Sequence, residues 1–205
     1  MGLRRRLSMR VKHAIDRVGA GAMLCAIGPL FAGIALAIKL DDGGEIFFKQ
    51  ERVGQDGRSF HIWKFRTMVP DAMERGKGYF TDDLITPMGK LLRKTSLDEL
   101  PQLLNILAGD MSFVGPRPTL RDQTDRYTPE QARRLEVRPG VAGWAQLHGR
   151  NTLPWSERIE FDVEYVDRAG PLFDLYILLR TVPMVLTGSG VAVGQTRDEV
   201  DDLGG

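Results

Sequence analysis

No charged residue interrupts the chain from Val18 to Ile38, and this run constrains the fold more than any other feature. A helix of roughly 20 apolar residues can cross the hydrocarbon core of a bilayer, so the segment is long enough to do so. It exceeds the apolar region of a cleaved signal, and Lys39 follows it with no processing site. Gly28-Pro29 stands near its middle. A proline there removes one helix hydrogen bond and clashes with the carbonyl of Cys25, which predicts a kink. Two topologies are open: a straight span, or a helix that dips into the membrane, bends at Gly28-Pro29 and returns.

Charge supports the placement of this anchor. Arg4, Arg5, Arg6, Arg10, Lys12 and Arg17 precede it against a single acid, Asp16, which favours a cytoplasmic N-terminus. Over the whole chain 28 basic residues nearly balance 27 acidic ones, so net charge gives no reason to expect a nucleic-acid partner. Cys25 is the sole cysteine and lies within the apolar run; a disulfide framework is excluded, in keeping with a reducing compartment.

Beyond the anchor the patterning predicts an α+β fold that is mostly helical. Ile46-Phe47-Phe48 and Phe60 to Phe65 flank Asp56-Gly57, a strong hairpin-turn dipeptide. Lys64 on the second strand and Arg66 just after it share one face, and both are candidate substrate-binding residues. Pro87 to Lys94 reads as a short helix. A second helix opens at Ser96, with Leu97, Leu100, Leu104 and Leu107 at helical spacing, and ends near Gly109. Ser96-x-x-Glu99 also matches a capping box. Thr128-Pro129-Glu130 starts another helix with proline at its first position, residues 154–168 form a charged helix, and Pro171 to Leu186 is apolar nearly all round. At that length the last segment is expected to lie along a membrane interface, where two copies could pair as a homodimer. The expected organisation is a basic N-terminus and re-entrant membrane helix over 1–40, a cytoplasmic domain with interfacial helices over 41–187, and a flexible acidic tail over 188–205.

Asp98 and Glu99 stand together at the start of the Ser96 helix, where unpaired N–H groups and the helix dipole favour negative charge. With cationic neighbours Asp98 would stay ionised at neutral pH. The chain lacks a Walker A loop, a G-x-G-x-x-G turn, zinc-ligand spacing and a G-x-S-x-G elbow. Its histidines are only His13, His61 and His148, which argues against histidine-activated nucleophiles. What remains is a carboxylate pair and arginines on loops rich in glycine and proline, among them Arg117, Arg138 and Arg150. Guanidinium groups bind phosphate oxygens in bidentate fashion, and Mg²⁺ binds through one or two carboxylates plus substrate phosphates. Aspartate can act as a nucleophile toward phosphorus. A domain built for phosphorylated substrates belongs in the cytosol, which favours the re-entrant topology over the span.

Four segments together resemble the bacterial sugar transferase family, the monotopic phosphoglycosyl transferases also called undecaprenyl-phosphate sugar phosphotransferases. They are Lys64-Phe-Arg-Thr-Met68, Leu92-Arg-Lys-Thr-Ser-Leu-Asp-Glu-Leu-Pro-Gln102, Gly109-Asp-Met-Ser-Phe-Val-Gly-Pro-Arg-Pro118 and Arg138-Pro-Gly-Val-Ala-Gly-Trp-Ala-Gln146. The resemblance runs over roughly residues 10–187. It implies transfer of a sugar-1-phosphate from a UDP-sugar to polyprenyl phosphate, releasing UMP, at the cytoplasmic face of the bacterial inner membrane. It also implies that Asp98 is the nucleophile, that Glu99 carries Mg²⁺, and that Lys64, Arg93, Arg117 and Arg150 bind substrate with support from Arg138 and Asp162. The family's re-entrant helix breaks where Gly28-Pro29 stands. Ala142 and His148 depart from residues common in the family, which bears on the identity of the sugar. Two competing readings are a membrane-bound phosphohydrolase and an inactive tethered adaptor.

Overall fold

The elements occur in the order α1 (Leu3–Asp42), β1 (Phe47–Val53), β2 (Ser59–Phe65), α2 (Ala72–Arg75), α3 (Pro87–Thr95), α4 (Gln102–Ala108) and β3 (Ser112–Val114). They continue with α5 (Arg121–Thr124), α6 (Pro129–Ala132), β4 (Gly140–Ala142), α7 (Trp144–His148), α8 (Trp155–Arg168) and α9 (Pro171–Leu186). The computed structural model describes residues 3–70, 72–75, 82–149 and 153–186. The acidic tail over 188–205 lies outside them. The fold is a mostly helical α+β arrangement, as its sequence predicts.

At 1.5 Å per residue α1 would measure about 60 Å. It is continuous through Gly28-Pro29, so the bend expected there does not interrupt the helix. Packing on both flanks of Pro29 offsets the lost backbone bond. Ala20, with Leu24 and Ile27 beside it, packs against Ile62, Leu103 and Ile106. Phe31, Ile34 and Ile38 pack against Phe65 and Leu92, and Met9 joins Val114, Tyr165, Val166 and Ile177. One body of protein therefore lies along α1 from residue 9 to residue 38. The other side of the helix stays bare, with Leu7, Val11, Ile15, Val18, Leu30, Leu36 and Leu40 exposed. Gly28 is not crowded either: a Cβ there would have nothing within 4 Å.

A buried ionic knot fixes the N-terminal half of α1. Lys12 reaches the Asp174 carboxylate of α9 at 2.6 Å, Asp16 at 3.3 Å, the Val114 carbonyl at 3.1 Å, and the Ser112 hydroxyl. Tyr165 donates to Asp174 at 2.8 Å. Charges this deep are stable only when their partners surround them, so α1, α8, α9 and β3 are held in one arrangement. At the other end Arg66 pairs with Asp42 and donates to the carbonyls of Glu45 and Met68, clamping the end of α1 to the hairpin.

The hairpin follows its turn chemistry. β1 and β2 pair antiparallel from Phe47↔Phe65 to Val53↔Ser59. Asp56 (φ 56°) and Gly57 (φ 74°) both take left-handed backbone conformations in the turn, as an Asp-Gly pair readily does. β3 and β4 form a short parallel pair, Ser112↔Gly140 and Val114↔Ala142. Thr128 caps α6 as expected, accepting from the Gln131 N–H.

Candidate active site

The expected capping box at Ser96 does not form. Ser96 is left-handed (φ 56°, ψ 18°) and closes α3, and its side chain caps no part of the succeeding turn. Leu97–Glu99 then make a single 3-10 turn, and α4 begins only at Gln102. Asp98 and Glu99 thus sit in a tight turn before the helix rather than in its first turn. The apolar face also differs from its spacing. Leu97 and Leu100 pack beside Phe65 and Leu92, but Leu104 and Leu107 are exposed while Gln102, Leu103, Asn105 and Ile106 are buried.

Asn105 explains this choice. Its side chain accepts from the Trp63 N–H at 3.0 Å and donates to the His61 carbonyl at 2.7 Å, stapling α4 to β2. Its own carbonyl receives the N–H groups of Gly109, Asp110 and Met111. Buried polar groups need such partners, and only with Asn105 turned inward does the carboxylate turn come to lie against β2.

Lys64 on β2 then meets Glu99 at 2.7 Å, and Arg117 approaches the same oxygen at 3.6 Å. Arg93, on the last turn of α3, is held by the Thr67 hydroxyl, which accepts from its Nε at 2.9 Å. A Cβ at Gly89 would collide with the Thr67 carbonyl, so glycine permits the close approach of α3 that makes this bond possible. Each residue of Lys64-Phe-Arg-Thr-Met68 has a separate task. Lys64 enters the site, Phe65 and Met68 fill the core, Arg66 clamps α1, and Thr67 positions Arg93.

The two carboxylates are driven apart electrostatically. Burial pushes the Asp98 carboxyl up to about 6, and the adjacent Glu99 charge adds to this against the pull of Lys64 and Arg93. Burial acts on Glu99 in the same direction, but Lys64 and Arg117 override it and hold that carboxyl down to about 2. Adjacent acids with divergent proton affinities are a mark of divided chemical roles. Asp98, still mostly ionised at neutral pH, is the more basic and less encumbered oxygen donor. Glu99 is the fixed anion.

Other expected site residues lie elsewhere. Arg66 belongs to the α1 clamp. Asp162 is buried on α8 and bonds Arg134 at 2.5 Å; Arg134 in turn donates to the Arg117 carbonyl at 2.9 Å and to Tyr127 at 2.5 Å. Asp162 therefore acts on the site through Arg134, by fixing the Pro116–Pro118 loop. Arg138 is acted on by the charges of Arg17, Asp16 and Asp110 rather than by Asp98 or Glu99. Arg150 lies outside the described residues. His148 is stacked on Phe161, with ring centroids 4.3 Å apart, and edge-on to Trp144 at 4.1 Å. Sequence reading missed Thr67, Asn105 and Arg134, whose bonds to Arg93, His61 and Asp162 join residues 26, 44 and 28 positions apart.

The model of the bacterial sugar transferase family matches residues 7–188, nearly the whole chain. This chain belongs to the bacterial sugar transferase family. It is 44% identical over 183 residues to an uncharacterized sugar transferase, EpsL, of Bacillus subtilis, covering 89% of this chain and 91% of that one. It is 38% identical to the exopolysaccharide production protein ExoY of Rhizobium meliloti, covering 87% of each chain. It is also 42% identical to a UDP-glucose:undecaprenyl-phosphate glucose-1-phosphate transferase of Caulobacter vibrioides, over 86% of this chain and 70% of the relative. Within this sugar transferase three of the four motifs meet in space at the Asp98–Glu99 turn, where Lys64, Arg93 and Arg117 converge.

No group of three or more metal-ligating side chains occurs among the described residues. The donor set nonetheless suits Mg²⁺, which needs only one or two protein carboxylates when substrate phosphates complete its shell. Glu99 would hold it, and it would supply charge neutralisation at a diphosphate.

Proposed function

We propose that the protein transfers a sugar-1-phosphate from a UDP-sugar to polyprenyl (undecaprenyl) phosphate, yielding polyprenyl-diphosphate-sugar and UMP. The reading rests above all on the Asp98–Glu99 pair, one carboxyl raised and the other depressed, ringed by Lys64, Arg93 and Arg117. It accords with the activity named for the relative in Caulobacter vibrioides.

In the first step an Asp98 oxygen attacks the sugar-bearing phosphorus. The bond from that phosphorus to the bridging oxygen breaks, and its electron pair leaves with UMP. In the second step an oxygen of polyprenyl phosphate attacks the same phosphorus, and Asp98 departs as free carboxylate. Lys64, Arg93 and Arg117 orient the phosphates and face the charge that develops during transfer. Phosphoryl transfer asks little more of a protein. Mg²⁺ dependence through Glu99 is part of this proposal.

We place the enzyme at the cytoplasmic face of the bacterial inner membrane as a monotopic protein with a re-entrant α1. Support comes from the domain that packs against both Met9 and Ile38. A helix crossing the bilayer would carry one of these residues away from it. The bare apolar residues of α1 and α9, the latter including Leu172, Leu175 and Leu179, suit burial in one leaflet.

The test is intact-protein mass spectrometry with a panel of UDP-sugars and no acceptor. A phospho-sugar adduct on the Asp98 peptide is expected, lost in Asp98→Asn together with at least about 10³-fold of turnover. Near-normal turnover by Asp98→Asn would refute the assignment.

A further inference from the structure

Arg52 stands on the face of the hairpin that looks into the site. Side chains alternate along a strand, and the register Phe48↔Lys64, Gln50↔Ile62, Arg52↔Phe60 puts Arg52 on the same face as Lys64 and Ile62. Ile62 is buried against α4 and Lys64 reaches Glu99. The next residue, Val53, donates its N–H to the Thr119 carbonyl at 2.9 Å. That bond draws the Pro116–Pro118 loop alongside, so Arg117 and Arg52 are close enough for their like charges to repel.

Among the described residues no carboxylate lies within ion-pairing distance of Arg52, and Asp122 acts on it only from further away, in contrast to the structural arginines. Arg66 has Asp42 and Arg134 has Asp162. Among the described residues Arg52 donates only to Gln50, at 2.5 Å, and its buried Nε has no partner. Burying a guanidinium without a counter-ion is costly, and placing it beside a second guanidinium adds to the cost. An anion bound between them would remove both penalties. Glu99 is shared between Lys64 and Arg117, and Asp122 acts on Arg52 only from beyond ion-pairing distance, so cationic charge exceeds anionic charge where Arg52 and Arg117 meet, which suits a phosphate group.

We propose that Arg52 and Arg117 form the subsite for the nucleoside-bearing phosphate of the donor, the group that leaves. The inference rests on the proposed reaction and adds a division of labour to it. Lys64 and Arg93 flank the phosphorus attacked by Asp98. As the bridging P–O bond breaks, its electron pair passes to the departing nucleoside monophosphate, and Arg52 with Arg117 meets that charge through charge-assisted hydrogen bonds.

Full-length Arg52→Gln and Arg52→Lys enzymes in detergent provide the test. Arg52→Gln should raise the donor KM and the UMP product-inhibition constant together by roughly 10- to 100-fold, the range for losing a hydrogen bond to a charged group. The acceptor KM should stay within about twofold, and Arg52→Lys, which keeps the charge, should recover part of the loss. An unchanged donor KM and UMP inhibition, or a rise in acceptor KM instead, overturns the subsite. Calorimetric UMP binding, compared between wild type and both variants, separates this inference from the reaction itself. If wild type yields no lipid-linked product yet binds UMP in an Arg52-dependent way, the reaction fails and the subsite stands. Equal UMP binding by all three, or none by wild type, refutes the subsite.

Discussion

If Asp98 attacks phosphorus as its carboxylate, the first half-reaction must lose rate as that carboxylate takes up a proton. With its proton affinity raised to about 6 by burial and by Glu99, Asp98 would be about nine-tenths ionised at pH 7, half at pH 6 and one-tenth at pH 5. Single-turnover UMP release from donor alone should therefore fall about tenfold between pH 7 and pH 5. A carboxylate of ordinary affinity, near 3.9, would lose less than about one-tenth of its rate over the same interval. The window is clean because Glu99 does not titrate within it. Its affinity is depressed to about 2 in the fold, so its ion pairs contribute stability above about pH 4.5 that is lost only as pH falls toward 2. Glu99→Gln sharpens the assay: removing the neighbouring charge should move the midpoint of the limb below 6, yet not to an ordinary value, because burial is the larger cause. A rate that stays flat down to pH 5 in the wild-type enzyme would show that Asp98 does not attack as a carboxylate of raised proton affinity.

Two other perturbations reach the supports of the site. Lys12→Met leaves Asp16 and Asp174 without their buried cation; a loss of about 3–5 kcal/mol is expected, read as a fall in Tm of roughly 6–20 °C for a chain of this size, and a fall under 2 °C would show that the knot is dispensable. Thr67→Val removes the bond that holds Arg93 while conserving shape; kcat/KM should drop roughly fivefold to 20-fold with Tm changed by only a few degrees, and unchanged kinetics would mean Arg93 needs no such support.

Elements with local causes were legible in the amino-acid order. Asp56-Gly57 dictated the hairpin turn, Thr128-Pro129 the start of α6 and Gly109 the end of α4, because each depends on the conformations open to one or two residues. The uncharged run over residues 18–38 required a long apolar helix, and the adjacent carboxylates marked the reactive turn. Which side chains face which neighbour depended on long-range packing. Leu104 and Leu107 point outward because Asn105 must satisfy the edge of β2. Arg66 turns to Asp42 and Asp162 to Arg134, though both had looked like substrate ligands. The raised affinity of Asp98 has the same origin. It arises from burial and from one neighbouring charge, and burial is fixed only when segments distant in the chain close around the turn.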